Sequence, residues 1–186
     1  MDGNYKFKEI HVVLKNGKQV AIRKTELADA AHLLQTIRSY LPQSSFIPKM
    51  EQELTMTISQ AEEWISSFIE KENSLQLVAV YEDQIIGNIE LTGSSRKVMA
   101  HSAMIGMGMI GGWRNSGLGT ALIRAVIDWA QQSPVLELLW LQLYSENELA
   151  LALYRKMGFV DAGLIKGFFK KDGRYSDCLT MTLMVK

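Results

Sequence analysis

Leu118, Ala121, Leu122, Ala125, Val126 and Trp129 recur three and four residues apart, the spacing that gathers apolar side chains on one face of a helix. The stripe predicts a helix over residues 118–129 that ends near Ser133 and Pro134. The same period runs through Leu27, Ala30, Ala31, Leu33, Leu34 and Ile37 up to Pro42, and again through Ala61, Trp64, Ile65, Phe68 and Ile69. A shorter helix is expected over residues 146–157, stopped by Gly158. Strand composition instead marks residues 76–81 and 85–92, paired about a turn at 82–84, then residues 100–110 and the nearly continuous apolar run 136–144. Asn16-Gly17 and Asp172-Gly173 accept positive φ, so tight turns are expected there. They give one hairpin over about residues 7–24 and a long one at the C-terminus, while residues 42–57 stay irregular. Strands alternating with helices in the middle, with an antiparallel hairpin at each end, predict a mixed sheet in a three-layer α/β domain.

A chain of 186 residues fits a single domain over 1–186, with a core that needs neither disulfide nor metal, and no metal site is expected. The 20 Lys and Arg balance the 20 Asp and Glu, so no net field draws the molecule toward nucleic acid or an anionic membrane. A charged ligand must therefore be held locally. Cys178 is the only cysteine, which excludes an intramolecular disulfide and suits a reducing compartment, so the cytoplasm is the expected location. The first residues lack the apolar core of a signal peptide, and no later run approaches the roughly 20 apolar residues of a membrane span.

Two stretches carry chemistry. In the first, Gly106 and Gly108 interrupt a strand, where glycine marks a bulge or the close approach of another backbone or a ligand. Arg114, Asn115, Ser116, Gly117, Leu118 and Gly119 then open the strongest helix. A glycine-rich helix start presents unpaired N–H groups at the positive end of the helix dipole, which makes an anion cradle. A pyrophosphate can approach Gly117 and Gly119 closely, with Arg114 and Thr120 as further donors, although a tight strand-to-helix turn accounts for the same glycines. There is no G-x-x-x-x-G-K-[ST] and no G-x-G-x-x-G in this turn, which disfavours P-loop and dinucleotide folds. In the second stretch Asn147 and Tyr154 lie seven residues apart, about two helical turns, and so share a face. A phenol placed there can hydrogen-bond or protonate a departing thiolate. Equally, Asn147 fits a helix N-cap and Tyr154 a core position.

Together these stretches resemble the GNAT superfamily of N-acetyltransferases. The signature [R/Q]-x-x-G-x-[G/A] is matched by residues 114–119, and N-x-x-A-x-x-L-Y-x-K-x-G-F by Asn147, Ala150, Leu153, Tyr154, Lys156, Gly158 and Phe159. The resemblance covers about residues 79–186, with an acetyl-CoA-binding core at about 79–160. It implies a sheet splayed at the acetyl-CoA site and flanked by about four helices. It also implies that the pantetheine arm pairs with Met107, Gly108 and Met109, which on this reading explains the strand glycines. The amides of Asn115, Ser116, Gly117, Leu118, Gly119 and Thr120 would hold the pyrophosphate beside Arg114, with Asn147 and Lys156 also in the cofactor site. Met109 N–H would polarise the thioester carbonyl, an amine would attack directly, and Tyr154 would serve as general acid. Relatives are often dimers, so a homodimer is expected by analogy.

The sequence departs from its relatives at the general base. Many of them carry a glutamate at the position of Met104, and ribosomal-protein N-terminal acetyltransferases carry one at that of Gln142. Glu51, Glu53, Glu90, His101 or water remain as proton acceptors. Lys166, Lys170, Lys171 and Arg174 cluster at a hairpin tip and read as solvated charge, while Trp64 and Phe68 read as core. Three functions follow: acetylation of a small amine, acetylation of a protein N-terminus or lysine, and a CoA-binding sensor without turnover.

Overall fold

The computed structural model describes residues 7–186. In chain order these form β1 (Ile10–Val13), β2 (Gln19–Lys24), α1 (Ala30–Tyr40), α2 (Ile58–Ile69), β3 (Leu75–Tyr81), β4 (Gln84–Gly93) and β5 (Ser102–Met109). They continue with α3 (Leu118–Gln132), β6 (Leu138–Tyr144), α4 (Glu148–Lys156), β7 (Val160–Lys171) and β8 (Arg174–Met184). All eight strands make one sheet in the order β1-β2-β3-β4-β5-β6-β8-β7, antiparallel except for β5 against β6.

The turn chemistry read from the sequence recurs at both hairpins. Gly17 takes φ +79° and Asn16 Oδ1 accepts a hydrogen bond from Lys18 N–H, and Asp172 and Gly173 both take positive φ. The β3–β4 turn is tighter than expected. It uses only Glu82 and Asp83, at φ 47° and 59°, because Gln84 already pairs with Tyr81. Residues 97–99 form a single helical turn, so the strand expected to start at residue 100 begins at Ser102. Gly158, at φ +93°, ends α4 as expected.

Strand alternation splits the core into two layers. Leu75, Leu77, Ala79, Ile89, Leu91, Ala103 and Ile105 face the stripe of α3, with Leu151 and Tyr154 of α4 beside it. Val78 and Ile85 face the other way, onto Leu33 and Leu34 of α1 and Ala61 and Ile65 of α2. Trp64 and Phe68 meet edge to face at 5.9 Å within that second layer, a packing role as expected. Among the described residues no helix is long and apolar enough to cross a membrane.

The sheet is not continuous along its parallel seam. β5 pairs with β6 only at Ser102, Ala103 and Met104, although β5 runs on to Met109 and β6 to Tyr144. Past Met104 and Trp140 the two strands diverge, and the gap opens at the end from which α3 departs.

Candidate functional site

The wall of the gap is main chain. Ile110 N–H donates to Ile86 carbonyl at 3.0 Å, so the alternation of an antiparallel ladder turns the peptide groups of Gly108 and Gly106 toward β4. Those of Met107 and Met109 then point the other way, into the gap left by β6. Their side chains leave the sheet on the α3 face. A Cβ at Gly119 would stand 3.1 Å from Leu153 Cδ2, 3.3 Å from Met109 Cε and 3.6 Å from Met107 Cε. The missing side chain of Gly119 thus lets β5, α3 and α4 converge at the head of the gap.

The two strand glycines have a different cause from the one the sequence suggested. A Cβ at Gly108 would fall 2.3 Å from Tyr40 Cζ, and one at Gly106 would fall 2.8 Å from Glu90 Oε1. Both spaces lie on the α1 face and are filled by side chains, so these glycines admit Tyr40 and Glu90 rather than a pairing partner. Tyr40 Oη–H donates to Asn88 Oδ1 at 3.0 Å, and burial raises the phenol pKa.

At the start of α3 the chain doubles back through Asn115 at φ +62° and Gly117 at φ +95°. Leu118 N–H is satisfied by Ser116 Oγ, and Ser116 Oγ–H donates to Trp113 carbonyl. Among the described residues the N–H groups of Asn115, Ser116, Gly117, Gly119 and Thr120 have no partner, and the helical ladder begins at Ala121. Five free donors at one helix N-terminus are the arrangement that suits an anion. Arg114 donates to Gln43 carbonyl, which holds its guanidinium beside the turn. Lys15 was not foreseen there. Its N–H donates to Ser116 carbonyl and its Cγ lies 3.6 Å from the Cβ position of Gly117. No periodicity in the sequence signals that the β1–β2 turn lies against residue 116.

On the α4 side, Asn147 caps the helix through Oδ1, which accepts from Ala150 N–H at 3.2 Å and leaves its amide N–H2 free. Tyr154 is 7% exposed and meets Phe159 edge to face at 5.6 Å. Burial alone pushes its phenol up to about 12, so it keeps its proton throughout the physiological range. Lys156 is exposed on the last turn of α4, with no hydrogen bond or ion pair among the described residues.

The candidate bases separate clearly. His101 is exposed one residue before β5, about 26 Å of extended strand from Met109, and is remote from the gap. Glu51 and Glu53 stand exposed on a single helical turn, and Glu53 accepts from Met50 N–H. Glu90 is opposite Gly106 on β4. It is half-buried by surface area but densely surrounded, and burial pushes its carboxyl up to about 7 against smaller lowering effects from Gln76 and Lys49. Gln76 is near enough to favour the carboxylate, yet neither it nor Glu90 Oε2 completes a hydrogen bond.

The irregular segment 42–57 bridges these parts. Gln43 Oε1 accepts from Gly111 N–H, Phe46 meets Tyr144 edge to face at 5.8 Å, and Lys49 is close enough to act on Glu90. A cavity of about 480 Å³ opens between this segment, the end of β6 and the β7–β8 hairpin. Lys171 and Arg174 line its mouth and stay exposed, as a solvated cluster would. Among the described residues no group of three or more His, Cys, Asp or Glu is placed to hold a metal.

Residues 34–159 match the Acetyltransferase (GNAT) family. The chain is 25% identical over 118 residues to the L-amino acid N-acetyltransferase AaaT of Escherichia coli, a stretch covering 63% of this chain and 73% of AaaT. It is 33% identical over 69 residues to the N-alpha-acetyltransferase RimI of Mycobacterium tuberculosis, covering 37% of this chain and 40% of that one. A GNAT acetyltransferase structure from Streptococcus pneumoniae superposes with a TM-score of 0.86 at 26% identity, covering 90% of this chain and 99% of the other. A phosphinothricin acetyltransferase from Sinorhizobium meliloti, in complex with acetyl-CoA, has the same fold, with a TM-score of 0.78 at 18% identity over 89% of this chain and 88% of that one. With a splayed parallel seam, an unpaired N-terminus on α3 and a family match across both, the chain belongs to the GNAT family of acetyl-CoA-dependent N-acetyltransferases.

Proposed function

We propose that the protein transfers an acetyl group from acetyl-CoA to the primary amine of a small molecule, by direct attack within the gap between β5 and β6. The observation that carries this is the pairing of two features at one end of β5: main-chain groups of Met107 and Met109 facing an unfilled gap, and five free N–H donors on residues 115–120. Pantetheine would complete the ladder along Met107 and Met109 as an extra strand does, while the diphosphate neutralises the start of α3 beside Arg114 and Lys15. Asn147 donates from its free amide to the pantetheine. Acetyl-CoA supplies the activated acyl group, and every remaining step belongs to the protein.

Met109 N–H donates to the thioester oxygen as negative charge builds there. Glu90 takes a proton from the arriving ammonium, which frees the amine lone pair for attack on the thioester carbon. A carboxyl at about 7 is half ionised near neutrality, and its depth on the face of Gly106 keeps it close to the gap. Tyr154 then meets the departing thiolate. Full transfer from a phenol at about 12 to a thiolate with a reference pKa of about 8.5 is uphill, so the hydrogen bond supplies most of the stabilisation and the proton follows late. Lys156 stands too exposed to join the chemistry and fits a peripheral contact with the cofactor.

The longer match to AaaT supports a small acceptor, whereas the match to RimI supports a protein N-terminus as the second reading. Thiol release from acetyl-CoA, followed across free amines, amino acids and short peptides, separates them. Turnover of free amines or amino acids is expected; turnover of peptides alone would contradict the proposal.

A further inference from the structure

The 480 Å³ cavity falls within the range of ~300–1,000 Å³ that holds small ligands, and its lining has a composition of its own. Phe46, Tyr144 and Phe169 form one aromatic wall: Tyr144 stacks on Phe169 at 3.9 Å and 15°, and Phe46 meets Tyr144 edge to face. Phe46 stays 39% exposed, which leaves apolar ring surface open to an occupant. Lys171 and Arg174, together with Glu146 and Asp172, also line the cavity. Ion pairs among the described residues join Arg23 to Asp29, Arg155 to Asp161 and Glu9 to His11, so none of the four charges is neutralised by a neighbour. Charges of both signs left open beside an aromatic wall suit a zwitterion with a flat apolar side chain. The segment that supplies Ser45 and Phe46 to the cavity also carries Lys49, which acts electrostatically on Glu90.

We infer that this cavity is the acceptor site and that the acceptor is an aromatic α-amino acid, its ring against Phe46, Tyr144 and Phe169 and its carboxylate held by Arg174 and Lys171. The inference rests on the proposed transfer to a small amine and deepens it. Arg174 is the principal anchor, because a guanidinium binds a carboxylate through two parallel hydrogen bonds. The amino group, protonated on arrival, gives its proton to Glu90, gains the acetyl group and leaves as the amide while CoA departs as the thiol.

The test compares kcat/KM for L-phenylalanine, phenethylamine, which lacks the carboxylate, and L-alanine, which lacks the ring. L-phenylalanine is expected to exceed each of the others by ~tenfold or more, since each loses one anchoring contact. Arg174→Ala is expected to raise KM for L-phenylalanine about tenfold more than it raises KM for phenethylamine. Phe169→Leu is expected to raise KM for L-phenylalanine more than for L-alanine, and both variants lie at the exposed hairpin, where a matching thermal melt checks the fold. Equal efficiency with phenethylamine, or an equal loss on both amines in Arg174→Ala, would overturn the aromatic amino acid while leaving small-amine transfer intact. Turnover of peptides alone, or of none of the panel, would overturn both.

Discussion

Replacing Glu90 by Gln removes a carboxylate that the fold disfavours and that the proposed reaction needs. Burial raises this carboxyl from 4.5 to about 7. Between those values the folded chain holds a proton that the unfolded chain has released. Its contribution to stability is therefore complete below pH 4.5 and is lost as pH rises through 7. The shift corresponds to at most about 3 kcal/mol, because the partly open face of Glu90 and its neighbour Lys49 soften the penalty. Glu90→Gln cannot ionise and escapes that loss. Its melting temperature should match that of the parent at pH 5 and exceed it by several degrees at pH 8, for a chain of this size. Activity should move the other way. The parent's kcat/KM should climb with pH to a plateau with a midpoint near 7, and the variant should lose that limb and fall by about a hundredfold or more at pH 8. Calorimetric melts and initial rates from pH 5 to pH 9 measure both. A gain in melting temperature that is the same at pH 5 and pH 8, or a variant that keeps the ascending limb, would refute the assignment of Glu90.

Tyr154→Phe should lower kcat about 10- to 100-fold with little change in the KM for acetyl-CoA; a rise in KM at constant kcat would mean that Tyr154 only binds. Gly108→Ala drives a methyl group to within 2.3 Å of the Tyr40 ring and should cost about 2 kcal/mol in urea unfolding. That cost should largely vanish when Tyr40 is Ala, and its persistence would contradict the close approach. Lys15→Ala should weaken CoA binding several-fold at low salt, with the difference shrinking as ionic strength rises. A loss independent of salt would remove Lys15 from the phosphate site.

The apolar stripe of α3 and the glycine-containing turns were legible because each is decided within a few residues. Residues 118–129 bury one face whatever lies opposite, and Asp172-Gly173 takes positive φ on its own account. The β3–β4 turn was blurred because Glu82 and Asp83 adopt positive φ without a glycine to announce it. Gly106 and Gly108 marked a close approach, but what approaches comes from Glu90 on the neighbouring strand and from Tyr40, far back in the chain. The same distance in sequence hid the surroundings of the candidate bases. Glu51, Glu53 and Glu90 look alike as residues, and only burial beside β5 raises one of these carboxyls to about 7. Lys171 and Arg174 are solvent-facing as read, but the cavity beside them was hidden because the segment with Ser45 and Phe46 has no periodic signal. The glycine-rich turn at residues 114–120 was legible as a motif, and its free N–H groups follow from the two left-handed residues, Asn115 and Gly117.

Amide nuclear magnetic resonance of the labelled protein, titrated with CoA, tests most directly whether the diphosphate sits on the start of α3. Saturable downfield shifts of the Asn115, Ser116, Gly117, Gly119 and Thr120 amides are expected, with Met107 and Met109 moving in step. Saturable binding that leaves those amides unshifted would contradict that placement.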